Sequence, residues 1–391
     1  MSVEVISLGC RMNLAESEGL RAMLAGGDDL VVVNSCAVTS EALRTTRQAI
    51  RRARRARPAA RLLVTGCAAE TDRATIAAMP EVDGLIANVA KLDPRAWNLA
   101  PAPLPVRPAA HTRAFVMVQN GCDHACTFCI IPQGRGPSRS RAVGEVVAEV
   151  AGLAAAGVGE VVLTGVDLAS WGQDLAGAPR LGALVAAILA GVPALRRLRL
   201  SSLDGAEIDP ALEELLGSEP RLMPHLHLSL QHGHDLILKR MKRRHSRADA
   251  LALVARLRAR RADIAVGADL IAGFPTESAA HHAANLSIIG ELGVVHGHVF
   301  PYSARGQTPA ARMPQLPAPL ITERAAQLRA VVADQRAGWL HGLIGQPLAV
   351  LAERDGTGHA PNFARVRLPA GTVPGTVVTV TPQRIVEGML E

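Results

Sequence analysis

The stretch NGCDHACTFCIIPQGRG, Asn120–Gly136, places Cys122, Cys126 and Cys129, half of the chain's six cysteines, within eight positions. The spacing C-x3-C-x2-C supplies three thiolates in one loop, directly after an apolar run, RAFVMVQNG, that reads as a strand. Two kinds of metal chemistry suit such a loop. A structural zinc takes four ligands, usually from two separated pairs, and His124 inside the loop offers a fourth. A 4Fe-4S cluster held by three cysteines instead leaves one iron open to a substrate or cofactor.

From that apolar run onward, strands alternate with helices. RAFVMVQNG, EVVLTGVD, LRRLRLSSL, HLHLSLQHG, IAVGADLIAGFP and VVHGHVFPYS read as six strands, separated by helical stretches such as VGEVVAEVAGLAAAG and RADALALVARLRARR. Six βα units make an open or partial barrel whose chemistry belongs at the strands' C-terminal ends. Upstream, residues 1–98 repeat a shorter version of the pattern: VEVISLGC, DLVVVNSC and RLLVTGC read as strands, each followed by a helix. Such alternation predicts an open parallel α/β sheet with every strand's C-terminal end on one edge. Cys10, Cys36 and Cys67 each close one of those strands. Structural cysteines more often lie within strands, so this triad is expected to share a metal site at the carboxyl edge.

The proline-rich segment Pro101–Ala110 reads as part of a linker, 99–112, between the sheet domain and a core spanning 113–320. TERAAQLRAVVADQRAGWLHGLIG predicts a connecting helix over 321–345, and the short strand-like runs of 346–391 predict a small β-barrel. No apolar run is long enough to span a membrane, and the opening MSVEVISLGC lacks the basic flank and apolar core of a signal peptide. The expectation is a cytoplasmic protein without membrane association. In a reducing compartment six cysteines point to metal ligands or catalytic thiols rather than disulfides.

The net charge of +7 is unevenly distributed. Ala42–Arg61 holds eight arginines and no acid, and Lys239–Arg247 holds six Lys or Arg and no acid. Two such stretches indicate a polyanionic partner, most naturally nucleic acid. Arg51, Arg52, Arg54, Arg55, Arg57, Lys239, Lys242, Arg243 and Arg244 are the candidate contacts. Composition bias accounts for arginine over lysine, but not for the absence of acids from both stretches.

The motif CDHACTFC after the first strand of a six-unit barrel resembles the radical S-adenosylmethionine (SAM) superfamily. LGCRMN, VNSCAVT and VTGCAAE ahead of it, with VVLTGVDLASWGQD, RLRLSS, HLHLSLQHGHDLILKRMKRRHSR, DLIAGFPTE and HVFPYSARGQTPAARM behind it, narrow the resemblance to the methylthiotransferases. The resemblance implies two 4Fe-4S clusters. Cys122, Cys126 and Cys129 would hold one, which binds SAM at its open iron and reduces it to methionine and a 5′-deoxyadenosyl radical. Cys10, Cys36 and Cys67 would hold the other, the site of sulfur delivery and methylthio transfer. Phe128 occupies the family's aromatic position beside the adenine. Thr164, Gly165, Asp167, Ser201, Ser202, Gln231, Asp269 and Gly273 are implied SAM-pocket residues, although each also suits a structural role at a barrel mouth.

NSCAVT and the arginine-rich helix after it look most like the branch that acts on N6-threonylcarbamoyladenosine at position 37, beside the tRNA anticodon. Other branches act on isopentenyladenosine in tRNA or on ribosomal protein S12. A reading of another class, a non-catalytic iron-sulfur protein that binds RNA or senses redox state, does not call for the barrel motifs. The implied partners are the anticodon stem-loop of tRNA and an electron donor such as flavodoxin or ferredoxin, with no role for DNA. The tail resembles a short TRAM domain, but from Gln346 it sets Arg354, Arg365, Arg367 and Arg384 against Glu353, Asp355, Glu387 and Glu391, which makes it a poor phosphate clamp. Histidine pairs at 225/227, 232/234, 281/282 and 296/298 show no adjacent thiol or clear acidic partner and read as barrel-lining residues rather than a zinc site.

Overall fold

A computed structural model describes residues 3–26, 29–100 and 112–391. Pro101–Ala110, read as linker, lies outside the described residues. The chain forms two compact units that interleave along the sequence.

The first unit is drawn from Met1–Arg107, Gln119–Arg139 and Ser303–Arg312. Its sheet comprises β1 (Val3–Ser7), β2 (Leu30–Ser35), β3 (Arg61–Gly66) and a two-residue β4 (Gly84–Leu85), all parallel and in chain order. Between them run α1 (Arg11–Met23), α2 (Ser40–Ala56), α3 (Cys67–Thr71) and α4 (Arg73–Ala77), and the cysteine loop contributes α5 (Ile131–Arg135). Thr39 starts α2 by accepting the Ala42 amide on its hydroxyl, which satisfies one donor of the first turn. From there Leu43, Thr46, Ala49, Ile50 and Ala53 recur at the spacing of one helix face and are buried. The core they join includes Val31, Val33, Leu62 and Val64, and each buried aliphatic side chain contributes about 1.5–3 kcal/mol.

The second unit holds six parallel strands: β5 (Arg113–Met117), β6 (Glu160–Thr164), β7 (Leu198–Leu200), β8 (His225–Gln231), β9 (Ala265–Ala272) and β10 (Val294–Pro301). They form two sets of three, β5-β6-β7 and β8-β9-β10, linked by the parallel bridges Leu198↔Leu222 and Leu203↔Leu228. The helix expected over 321–345 runs Ala318–His341. The small barrel expected at the tail is not closed. Its six strands form an open mixed sheet, and the pairing of Arg365–Arg367 with Met389–Leu390 rests on the single match Val366↔Leu390. This sheet is fastened beneath the strands by buried arginines. Arg197 donates to the carbonyls of Ala349 (2.6 Å) and His359 (3.2 Å), and Arg199 donates to that of Pro361 (3.0 Å) while paired with Glu160. Phe363 lies under the Arg199 guanidinium and against the His225 and His359 rings.

Candidate functional site

The parallel order of β1 to β3 brings their carboxyl ends to one edge, and the N-terminal cysteines follow those ends. Cys10 is the N-cap of α1, Cys36 follows β2 directly, and Cys67 opens α3. Gly9 takes φ +91°, and a Cβ there would lie 2.6 Å from the Cys36 sulfur, so only glycine lets this turn approach Cys36. All six cysteines are free. Burial pushes the Cys36 thiol up, and the nearby Cys10 and Cys67 add to this. Burial also pushes the Cys67 thiol up, with Arg135 and Lys91 pulling the other way. Three unbridged thiols gathered at one edge fit a metal centre, because coordination removes the thiol protons that burial otherwise retains.

A buried polar frame supports this edge. Glu16, 2% exposed, accepts from Lys91 Nζ at 2.5 Å and from both terminal nitrogens of Arg135 at 2.9 and 3.2 Å. Asn13 donates to the carbonyls of Leu8 and Ser35, while its Oδ1 accepts from Arg135 at 2.6 Å and faces the Cys10 sulfur at 3.9 Å. Asn88 donates to the Gly134 carbonyl and faces the Cys67 sulfur at 3.9 Å. Asn34 holds Asn13 and Ser17 and accepts from Lys91. Sequence reasoning missed these residues. The one available signal was the polar stripe Asn13, Glu16, Ser17 on the buried face of α1, where apolar residues belong.

The central cysteine loop lies in the same compact unit as the N-terminal triad. It closes through Cys122 N–H to the Gly136 carbonyl (3.1 Å) and Cys129 N–H to the Cys126 carbonyl (3.1 Å). The amides of His124 and Ile131 point at the sulfurs of Cys122 and Cys129, both at 3.4 Å, the kind of contact that steadies cluster thiolates. Ala310 N–H fixes the loop through the Thr127 carbonyl at 2.9 Å. Phe128 is half-buried in this loop.

In the second unit, most of the implied SAM-pocket residues lie just past strand C-terminal ends. Thr164 ends β6, with Gly165 and Asp167 following, and Asp167 accepts from Ser170 Oγ at 2.7 Å. Ser201 and Ser202 follow β7, and the buried Ser201 hydroxyl has no partner among the described residues. Gln231 ends β8 with φ +69°, and Gly273 follows β9 with φ +70°. Asp269 sits deeper, in mid-strand. One of its oxygens accepts from His227 Nε2 and His298 Nδ1, both at 3.1 Å. Burial opposes its charge, but these hydrogen bonds hold the carboxyl well below the usual carboxylate range. The histidine pairs therefore do have an acidic partner, which the register Asp269↔His298 supplies and sequence spacing hid.

The basic stretches divide sharply. Arg54 donates to the carbonyls of Pro58, Ala60 and Glu81 and pairs with Asp83, and Arg57 pairs with Asp29 and Glu4, so both are committed to the N-terminal sheet. Arg52 and Arg55 are exposed, and Arg51 makes only a 3.8 Å pair with Glu81. In the second stretch, Arg243 is buried against Asp204 and the Ser229 carbonyl, and Arg244 bridges Asp204 and Glu207. Only Lys239 and Lys242 of the four candidates there are exposed without such partners. Arg54, Arg57, Arg243 and Arg244 are thus paired with acids distant in sequence, whereas Arg51, Arg52, Arg55, Lys239 and Lys242 present their charge at the surface.

Residues 116–286 match the model of the Radical SAM superfamily, and residues 2–87 match that of Uncharacterized protein family UPF0004. Threonylcarbamoyladenosine tRNA methylthiotransferase MtaB of Rickettsia prowazekii (strain Madrid E) is 42% identical, covering 99% of this chain and 96% of that protein. tRNA-2-methylthio-N(6)-dimethylallyladenosine synthase of Cereibacter sphaeroides is 34% identical, covering 89% and 86%. Among solved structures, the radical S-adenosylmethionine methyltransferase TsrM from Kitasatospora setae, with cobalamin and a 4Fe-4S cluster bound, is similar with TM-score 0.53 and 16% identity, covering 76% of this chain and 68% of that one. This last likeness concerns the fold, α/β with parallel sheets. Fold and cysteine loop together define a radical SAM protein. With the first relative similar along its whole length, the chain belongs to the radical SAM methylthiotransferase family, enzymes that use SAM and 4Fe-4S clusters.

Proposed function

We propose that this chain converts N6-threonylcarbamoyladenosine at position 37 of tRNA to its 2-methylthio derivative. The observation that carries this is the 42% identity, across nearly all of both chains, to an enzyme named for that nucleoside, against 34% for one named for dimethylallyladenosine. When bound, a cluster on Cys122, Cys126 and Cys129 supplies the reducing electron for SAM, and a second on Cys10, Cys36 and Cys67 supplies the site of sulfur transfer. The chain's own residues do the positioning. The His124 and Ile131 amides orient two thiolates of the first triad, and Asn13 and Asn88 face thiols of the second. Thr164, Gly165, Asp167, Ser201, Ser202, Gln231, Asp269 and Gly273 line the SAM pocket, with Phe128 beside the adenine. Arg51, Arg52, Arg55, Lys239 and Lys242 meet tRNA phosphates near the anticodon. The tail, whose Arg365, Arg367 and Arg384 are paired with Asp355 and Glu391, adds little to that grip. The enzyme works in the cytoplasm, where its tRNA and a flavodoxin- or ferredoxin-type electron donor are found.

Mass spectrometry of tRNA nucleosides from a strain lacking the gene tests this. The 2-methylthio form of threonylcarbamoyladenosine should vanish and its precursor accumulate. Restoring the wild-type gene, but not a Cys36→Ala copy, should reverse the change. Loss of methylthiolated isopentenyladenosine instead would reassign the substrate.

A further inference from the structure

Around the N-terminal triad, the buried Glu16 and the partly exposed Asp72 are each outnumbered by cations. Glu16 faces both Lys91 and Arg135, and all three side chains are at most 2% exposed. On the Cys36 side, Asp72 pairs with Arg47 at 3.2 Å, and the buried Arg305 interacts electrostatically with Asp72 and with Cys36 itself. Glu70, three residues after Cys67, is matched by Arg73 at 3.9 Å. Four cations against two carboxylates leave a surplus of two positive charges beside the three thiols. The surplus is close to the sulfurs. Asn13 Oδ1 touches both Arg135 and the Cys10 sulfur, and a Cβ on Gly134, the residue before Arg135, would lie 3.2 Å from Cys67 Cβ.

Burying cations in excess of anions costs several kcal/mol per ion unless a further anion answers them. Three thiolates around a 4Fe-4S core form a net anion, and an added electron makes it more negative. We propose that Lys91, Arg135, Arg47 and Arg305 form the counter-charge shell of the auxiliary cluster, stabilising its reduced state and raising its reduction potential. The proposal rests on the reading that Cys10, Cys36 and Cys67 hold that cluster. The step concerned is the gain of one electron by the cluster, with no bond made or broken. In the assay the electron comes from dithionite.

The test uses full-length protein in which Cys122, Cys126 and Cys129 are changed together to Ala, reconstituted anaerobically, so that the reduced auxiliary cluster alone gives the electron paramagnetic resonance signal during a mediated redox titration. Lys91→Met should lower the reduced-to-oxidised ratio at a fixed potential about tenfold, a shift of about 59 mV for one electron. Arg47→Gln, at a half-exposed site, should lower it about threefold because solvent screens that charge. Lys91→Arg and Arg47→Lys keep the charge and should stay near the parent. If Lys91→Met loads less iron than Lys91→Arg, that too supports a need for charge, and Arg47→Gln then carries the potential measurement. A midpoint unchanged in fully loaded Arg47→Gln, or moved equally by Arg47→Lys, overturns the proposal. If Cys36→Ala in the same background keeps its full iron, the cluster assignment itself has failed.

Discussion

Changing Arg51, Arg52 and Arg55 together to Gln should weaken tRNA binding and flatten its salt dependence, whereas changing Arg54 and Arg57 should leave the salt dependence intact. All five lie on or just after α2, yet the buried stripe Leu43, Thr46, Ala49, Ile50 and Ala53 turns them to different sides. Arg54 and Arg57 reach back to Asp83, Asp29 and nearby carbonyls, so their charge is already answered. Each phosphate contact removed lowers the slope of log K against log salt by about 0.7 to 0.9, so losing three contacts gives about 2 to 2.7. Between 50 and 200 mM salt, the wild type should therefore lose about 20 to 40 times more affinity than the triple variant. Arg54→Gln with Arg57→Gln acts on the fold instead. Hydrogen bonds from a charged group contribute about 1.5–3 kcal/mol each, so the N-terminal unit should unfold at lower denaturant concentration. The assay is a salt titration of each variant against an anticodon stem-loop bearing threonylcarbamoyladenosine, beside a urea melt. An equal or larger slope change from the Arg54/Arg57 pair would refute the division. The tail is better probed by Arg354→Gln than by truncation, because removal would strip the covering from Glu160 and Arg199.

Cys126→Ala should abolish formation of 5′-deoxyadenosine from SAM, whereas Cys36→Ala should leave it measurable while stopping methylthiolation. Equal loss of both in Cys36→Ala, followed by chromatography of the two products, would sink the separation of roles. Acid should destabilise the second unit. Burial, reinforced by Arg336, pushes His296 down to about 3, so it stays neutral in the fold while the unfolded chain protonates near 6.5. The folded state then binds fewer protons between those values, so stability is fully present above pH 6.5 and declines toward pH 3 by up to about 1.4 kcal/mol per pH unit. Denaturant melts at pH 7 and pH 5 should show the decline, and His296→Gln should reduce its steepness. A slope unaffected by that substitution would point to the other depressed histidines, His232, His281 and His359.

Local patterns announced most of the strands. Apolar runs ending in cysteine named β1 to β3; in β2 and β3, buried on both faces, the signal is carried within a few residues, and the edge strand β1 follows the same pattern. The two residues of β4 offered no such run. The six cysteines were legible for the same reason, each in a short motif at a strand's end. Glu16, Lys91 and Arg135 were not, since each is an ordinary charged residue until residues separated by more than seventy positions fold together. The arginines were legible as a group but not one by one. Periodicity shows that the run Arg51–Arg57 must spread around a helix, but only distant Asp29 and Asp83 decide which members are free. The open tail sheet escaped notice because strands of two to five residues fix neither register nor closure.

The compact unit that carries both cysteine triads is assembled from three stretches, the last being Ser303–Arg312. That stretch seats Arg305 near Cys36, ties Ser303 to Ser40 and caps the central loop through Ala310. During synthesis Cys10, Cys36 and Cys67 emerge early, yet the wall that completes their surroundings follows more than 230 residues later. Metal insertion before that point would meet an unfinished cradle open to oxygen and to competing zinc. A cluster on Cys10, Cys36 and Cys67 would thus find its full surroundings only after translation has passed residue 312.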